Sequence, residues 1–177
     1  MLFRSAHRGT DNVVRIFRSE AHVARMRQSA EVLCLPVPPA DMLARMIDEV
    51  TKVSEAEVPA APGSLYLRPT LVGTEENVGA AAAPSASALL FVLAGPVGDY
   101  FSGGIRPLTI VVEDTQPRTI PSFGLVKSGA NYVMALRPTL EAKKKLGADQ
   151  VLFAPRSEEH TSELQSHLNL VCRLLLE

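Results

Sequence analysis

The sequence lacks the residues that would mark several large classes of protein. Its 177 residues include two cysteines, Cys34 and Cys172, which give neither a disulfide framework nor metal-ligand spacing. A reducing compartment is the expectation. The four histidines (His7, His22, His160, His167) are scattered, none at a zinc-like interval from another ligand, so no metal is expected. Aromatic residues are 5% of the chain and do not alternate with basic ones as a base-stacking platform requires. Net charge is −1, which argues for neither a nucleic acid nor an acidic membrane surface as partner. The longest apolar run, "ALLFVLA" from Ala88 to Ala94, falls far short of the roughly 18 to 20 residues of a membrane helix.

What is present suits a globular protein. Hydrophobic residues are 46% and charged residues 21%, enough for a sizeable core, and the length fits one domain or parts of two. The first 27 residues carry six arginines against Asp11 and Glu20, a faint likeness to a transit peptide. "VVRIF" reads as a short strand, however, so organised structure is expected there.

Along the chain, "NVVRIFR" (Asn12 to Arg18) alternates weakly as a strand after the turn "RGTDN". "EAHVARMRQSAEVL" places Val23, Met26, Ala30 and Leu33 at helical spacing, and "LPVPP" breaks that helix. Asp41 is the expected cap of the next helix, whose stripe is Leu43, Met46, Ile47 and Val50. After the link "EVPAAPGS", "SLYLRPTLVG" reads as a strand with Leu65 and Leu67 on one face and Tyr66 and Arg68 on the other. An arginine beside a tyrosine is either a carboxylate grip, since guanidinium forks onto carboxylate, or an ordinary surface pair. "SASALLFVLAGPVG" reads as a buried strand, "GDYFSGGIRP" as a connector, and "PLTIVVED" as another strand. "TLEAKKKLG" reads as a helix closed by Gly147 with Lys143 to Lys145 on its solvated face, and "QVLFA" begins a further strand. Alternating strands and helices make the fold class mixed α/β.

The stretch "SFGLVKSGANYV" sets Lys127 among small and apolar neighbours, with no acid nearby in sequence. Two readings stand: a surface or loop-anchoring lysine, or one whose lowered pKa makes it a nucleophile toward carbonyl compounds.

"SLYLRPTLVGTEENVG", "LLFVLAGPVGDYFSGG" and "VKSGANYVMALRPTLEAKKKLGADQVLF", in that order, resemble the branched-chain amino acid aminotransferases. These are class IV enzymes that use pyridoxal 5′-phosphate on a fold of two α/β domains, fold type IV. The likeness extends upstream through "HRGTDNVVRIFRSEAHVARMRQSAEVLCLP" and so covers Ala6 to Ala154.

The resemblance implies amino transfer between leucine, isoleucine or valine and 2-oxoglutarate. Related reactions of the same class, a D-amino acid aminotransferase or an aminodeoxychorismate lyase, are the alternatives, as is a non-catalytic interaction module. In this reading Lys127 holds the cofactor as a Schiff base and then moves the substrate's α-proton. Tyr132 matches the tyrosine that hydrogen-bonds the cofactor's phenolic oxygen. Arg25 matches the arginine on its phosphate, with Arg27 as the alternative. Tyr66 and Arg68 match a pair on the substrate side, and Tyr100 an aromatic residue lining the pocket near the domain junction. Arg118 stands outside the set, because its local spacing departs from the family pattern. Ala130 replaces the second glycine that many relatives carry before "NY", which matters if that position needs a positive φ. A homodimer is implied for the parent protein, and a cytoplasmic setting, with an organellar one open.

The expected domain plan is a partial small domain over 1–100, a connector over 101–106, and the start of the large domain over 107–155. The family's opening segment, of the form "FGxxVFEG", is missing, which places Met1 inside a longer parent. Residues 156–177 read differently. "RSEEHTSELQSH" and "LVCRLLLE" back-translate without strain to a common sequencing-library adapter, so this tail is read as non-native. Its leucines nonetheless have helical spacing. The acidic partner for the cofactor's ring nitrogen and the phosphate loop belong to family sequence beyond "VLFAP". The expectation is therefore an active parent and a chain that is, alone, a poorly folded fragment.

Overall fold

In a computed structural model, residues 5–76, 83–98, 106–120 and 122–154 are described. They fall in two compact units, one within 2–104 and the other from 105 onward.

The first unit opens on a hairpin of β1 (Ser5–Arg8) and β2 (Val14–Ile16). The turn "RGTDN" closes it through Gly9 N–H donating to the Val13 carbonyl at 2.9 Å and Asn12 N–H to the Gly9 carbonyl at 3.0 Å. The Asp11 carboxylate braces the turn by accepting from both terminal Arg15 guanidinium nitrogens, at 2.9 and 2.6 Å. Paired donors of this kind hold its pKa well below the usual carboxylate range. The strand expected over Asn12 to Arg18 is thus shorter at both ends, and β1 has little sequence signal. "SAHR" offers one apolar residue, Ala6, which lies opposite Leu65 of a strand far along the chain and is fully buried.

Helix α1 (Ser19–Val32) follows the expected stripe: Val23 and Ala30 are buried, together with His22 and Ser29. It ends with Cys34 in the left-handed region at φ 53°. Cys34 N–H donates to the Glu31 carbonyl and Leu35 N–H to the Ala30 carbonyl, at 3.0 and 2.9 Å. This closing pattern usually employs glycine.

Helix α2 (Ala40–Val53) differs from expectation at its start. Pro39, not Asp41, is the cap, and Leu43 N–H donates to its carbonyl at 3.1 Å. The prolines of "LPVPP" hold the chain extended up to Ala40, so Asp41 falls inside the first turn. There its charge suits the helix dipole and pairs with Arg45 at 3.3 Å.

Strand β3 (Ser64–Gly73) occupies the expected residues and pairs antiparallel with β4 (Ala88–Val97) over its whole length, Ser64 opposite Val97 and Gly73 opposite Ala88. The antiparallel sheet has the order β2-β1-β3-β4. One face packs on the helices: Ala6, Val23, Leu43, Ile47, Val58, Leu65 and Leu67 form the core. Strand β4 does not meet the expectation of a buried strand. It is an edge strand whose Leu90 and Val92 reach the core while Leu89 and Leu93 face away and are exposed. A continuous apolar run suggests cover on both faces, and among the described residues only one face is covered.

The second unit is a β-α-β arrangement. β5 (Ile110–Glu113) pairs in parallel with β6 (Gln150–Phe153), Ile110 opposite Gln150, and α3 (Gly129–Leu146) connects them. Helix α3 begins ten residues before the expected "TLEAKKKLG" and runs through Pro138. It closes at Gly147, φ 63°, as expected. Lys143 to Lys145 lie on its exposed face, and Lys145 pairs with Glu141 at 3.0 Å. The two strands are tied at their starts by Asp149, which accepts from Arg106 at 2.5 and 3.0 Å and from Thr109 N–H at 2.9 Å. These donors hold the Asp149 carboxyl down to about 2. Among the described residues no helix is long and apolar enough to cross a membrane.

Candidate active site

Lys127 stands at the junction of a tight loop and the first turn of α3. The loop is a chain of backbone turns, with Phe123 N–H donating to the Ile120 carbonyl at 3.2 Å and Val126 N–H to the Phe123 carbonyl at 3.1 Å. Ser122 is left-handed, at φ 70°. Val126 anchors the loop, its side chain fully buried. Ser128 is extended (φ −111°, ψ 152°) and the helix starts at Gly129. Tyr132 is therefore in the first turn, within reach of the long lysine side chain folding over it.

The Lys127 ammonium donates to the Tyr132 hydroxyl, and the nitrogen lies 4.8 Å from the centre of the ring. The structure also brings Arg118 to the same ring, its guanidinium carbon 5.6 Å from the centroid. Arg118 and Lys127 thus share the Tyr132 ring at the start of α3. Arg118 is a residue that motif spacing passes over. Its signal is spatial, because the loop folds residues 118 and 132 together.

Asn131 is another that the motifs leave unmarked. Its side-chain amide donates to the carbonyls of Phe123 and Val126, both at 2.8 Å, and the residue is 6% exposed. Ala130, the replacement for a family glycine, lies inside α3 with ordinary helical backbone, so no positive φ is required there.

The first unit carries the other candidates. Tyr66 and Arg68 sit on the face of β3 away from the core, as the alternation implied, with the guanidinium carbon 5.2 Å from the Tyr66 ring centre. Stacking on a ring holds the guanidinium plane still while leaving its fork free for an oxyanion. Arg25, on α1, has Nη2 3.4 Å from Nδ1 of the buried His22. Its Nε is buried without a hydrogen-bond partner among the described residues. Arg27, the alternative, donates Nε to the Pro38 carbonyl at 3.2 Å. A buried guanidinium N–H left open costs free energy unless an acceptor arrives, which suits an anion at Arg25. Tyr100 and the 156–177 tail lie outside the described residues. No group of three or more His, Cys, Asp or Glu that could hold a metal occurs among the described residues.

Comparison with known proteins gives a consistent result. The model of the amino-transferase class IV family matches residues 12–165, a span that runs past Ala154 into the tail read as non-native. The chain is 36% identical over 150 residues to a branched-chain-amino-acid aminotransferase of Dictyostelium discoideum, covering 84% of this chain and 39% of that protein. It is 37% identical over 168 residues to a probable branched-chain-amino-acid aminotransferase of Streptomyces coelicolor, covering 93% and 46%. Among solved structures, a branched-chain amino acid aminotransferase of T.th. with pyridoxamine 5′-phosphate aligns with a TM-score of 0.69 at 26% identity, covering 86% of this chain and 48% of that one. The chain thus spans less than half the length of these relatives.

Proposed function

Because the chain belongs to the amino-transferase class IV family, we propose that Lys127 is the reactive lysine of a pyridoxal 5′-phosphate transaminase. Its amino donors are leucine, isoleucine and valine, and its acceptor is 2-oxoglutarate. The observation that carries this reading is the Lys127 amine held on the Tyr132 hydroxyl at a helix start.

The residues present fit the cofactor's chemistry. An amine suits its aldehyde, a phenol beside that amine suits its phenolic oxygen, and the open Nε of Arg25 suits its phosphate. When bound, pyridoxal phosphate supplies the electron sink that makes an α-hydrogen acidic. Lys127 Nζ, as the neutral amine, removes that proton from the substrate's α-carbon and later returns one as the ammonium. The Tyr132 hydroxyl orients the amine between these steps. Arg68, stacked on Tyr66, offers a fork for a carboxylate of the substrate. Two copies in a homodimer and a cytoplasmic setting complete the reading; the relatives' names support the branched-chain donors.

Treating the chain with pyridoxal 5′-phosphate, reducing with borohydride and mapping peptides tests the first claim. The label is expected on Lys127 and absent there in Lys127→Ala; a label elsewhere, or none, rejects the reading. Turnover of D-alanine in preference to leucine by the intact protein rejects the branched-chain assignment.

A further inference from the structure

We propose that Asn131 is a positioning residue for Lys127: its side-chain amide fixes the peptide plane from which the lysine projects. This inference rests on Lys127 being the reactive amine.

Asn131 is the third residue of α3, in its first turn, and touches neither Lys127 Nζ nor the Tyr132 ring through any bond described above. It acts through the backbone. One Nδ2 hydrogen holds the Val126 carbonyl, which belongs to the peptide group joining Val126 to Lys127. The other holds the Phe123 carbonyl at the opposite end of the same turn. Both acceptors are carbonyl oxygens, so only the NH2 end of the amide can face them. The bond to Val126 is buried, where losing the amide takes a donor from a carbonyl out of reach of water, while the Phe123 carbonyl keeps the Val126 N–H.

The loop has reason to be held. It carries a left-handed serine at residue 122, a conformation that persists when surrounding contacts enforce it. Its other anchors among the described residues include the Val126 side chain and single backbone turns. With the plane of the 126–127 peptide fixed, the lysine stem leaves in one direction and its amine meets the Tyr132 hydroxyl. With the plane free, the amine samples solvent, and the gain from pre-set orientation is lost.

The test uses the full 177-residue chain, Asn131→Ala and Asn131→Asp. Lys127 labelling by pyridoxal 5′-phosphate and borohydride is referred to the peptide bearing Lys143 to Lys145 of the same sample. Labelling of Lys127 is expected to fall about tenfold or more, with the reference peptide unchanged and helical circular dichroism retained. A readout without cofactor accompanies it, the NMR resonance of the Tyr132 ring carbon Cζ at one fixed pH, which shifts when the Lys127 contact to the hydroxyl is lost. Unchanged labelling together with an unmoved resonance overturns the proposal.

If both variants lose their helical signal, the unaltered chain decides. Asn131 side-chain amide protons that exchange at least about tenfold slower than a free asparagine's support the clasp, and exchange at the free rate overturns it. Absence of label on Lys127 in the unaltered chain, with the slow amide exchange intact, rejects the cofactor reading and leaves the clasp standing.

Discussion

At the scale of single residues, the two arginines of "ARMR" show how partners assign roles that spacing leaves open. Arg27 has its Nε engaged by the Pro38 carbonyl, whereas the Nε of Arg25 is buried without an acceptor among the described residues. If Arg25 receives the cofactor phosphate, pyridoxal 5′-phosphate labels Lys127 faster than pyridoxal does. Arg25→Ala is expected to erase most of that advantage, about tenfold or more, as loss of a hydrogen bond to a charged group implies. Arg27→Ala leaves the ratio intact, and parallel borohydride labelling with the two aldehydes measures both. Asp149 makes a separate case. Its carboxyl, held down to about 2 by Arg106, binds its proton less readily folded than unfolded, where the ordinary value is 3.8. Its stabilising effect is therefore full above that ordinary value and fades as pH falls toward about 2. Denaturant midpoints of the chain and of Asp149→Asn, followed against pH, are expected to differ most near neutrality and to converge at the acid end. A constant separation from neutral to acid pH contradicts this.

At the scale of elements, the helix ends at Cys34 and Gly147 both place a left-handed residue after the last turn, with different residues and different hydrogen bonds. Gly147 sits at φ 63° with nothing near the place of a Cβ, so only the backbone objects to a side chain there. Gly147→Ala is expected to cost about 1 kcal/mol. Cys34, at φ 53° and exposed, already bears that strain, so Cys34→Gly is expected to stabilise by about 0.5 to 1 kcal/mol. Urea midpoints of the two variants should move in opposite directions, and movement in the same direction removes the argument. The pair also shows what a sequence can disclose. Gly147 announces a helix end because glycine is common there, and Cys34 announces nothing. Strand β3 is legible to the residue because Leu65 and Leu67 alternate with Tyr66 and Arg68 across a half-covered sheet. β1 is not, since its burial comes from pairing with β3, a partner far along the chain. The Lys127–Tyr132 contact follows from a motif that sequence carries. The Asn131 clasp does not, because its partners are backbone carbonyls, which have no letter in the sequence.

At the scale of the whole molecule, the two units differ in how much core each encloses. The unit within 2–104 surrounds Leu43, Leu65 and Leu67 with a sheet face and two helices. In the unit from 105 onward the buried apolar residues, among those described, are Val126, Ala142, Ala148 and Phe153, three of them small or at the ends of elements. Val112, Leu125, Val133, Leu136, Leu140 and Leu146 are exposed there. Burying a large side chain contributes about 1.5 to 3 kcal/mol, so six such residues left in water remove a large part of what ordinarily offsets chain entropy. The second unit should open at free energies well below the first. Limited proteolysis is expected to cut first between residues 106 and 154 and to leave a resistant piece ending near residue 104. Leu43→Ala, at a fully buried position of α2, should cost the first unit about 2 to 5 kcal/mol and make that piece sensitive as well. Peptide mass spectrometry over a time course checks both. Early cleavage inside 5–76 of the unaltered chain, with the 106–154 region intact, would reverse the order of stability argued from the two cores.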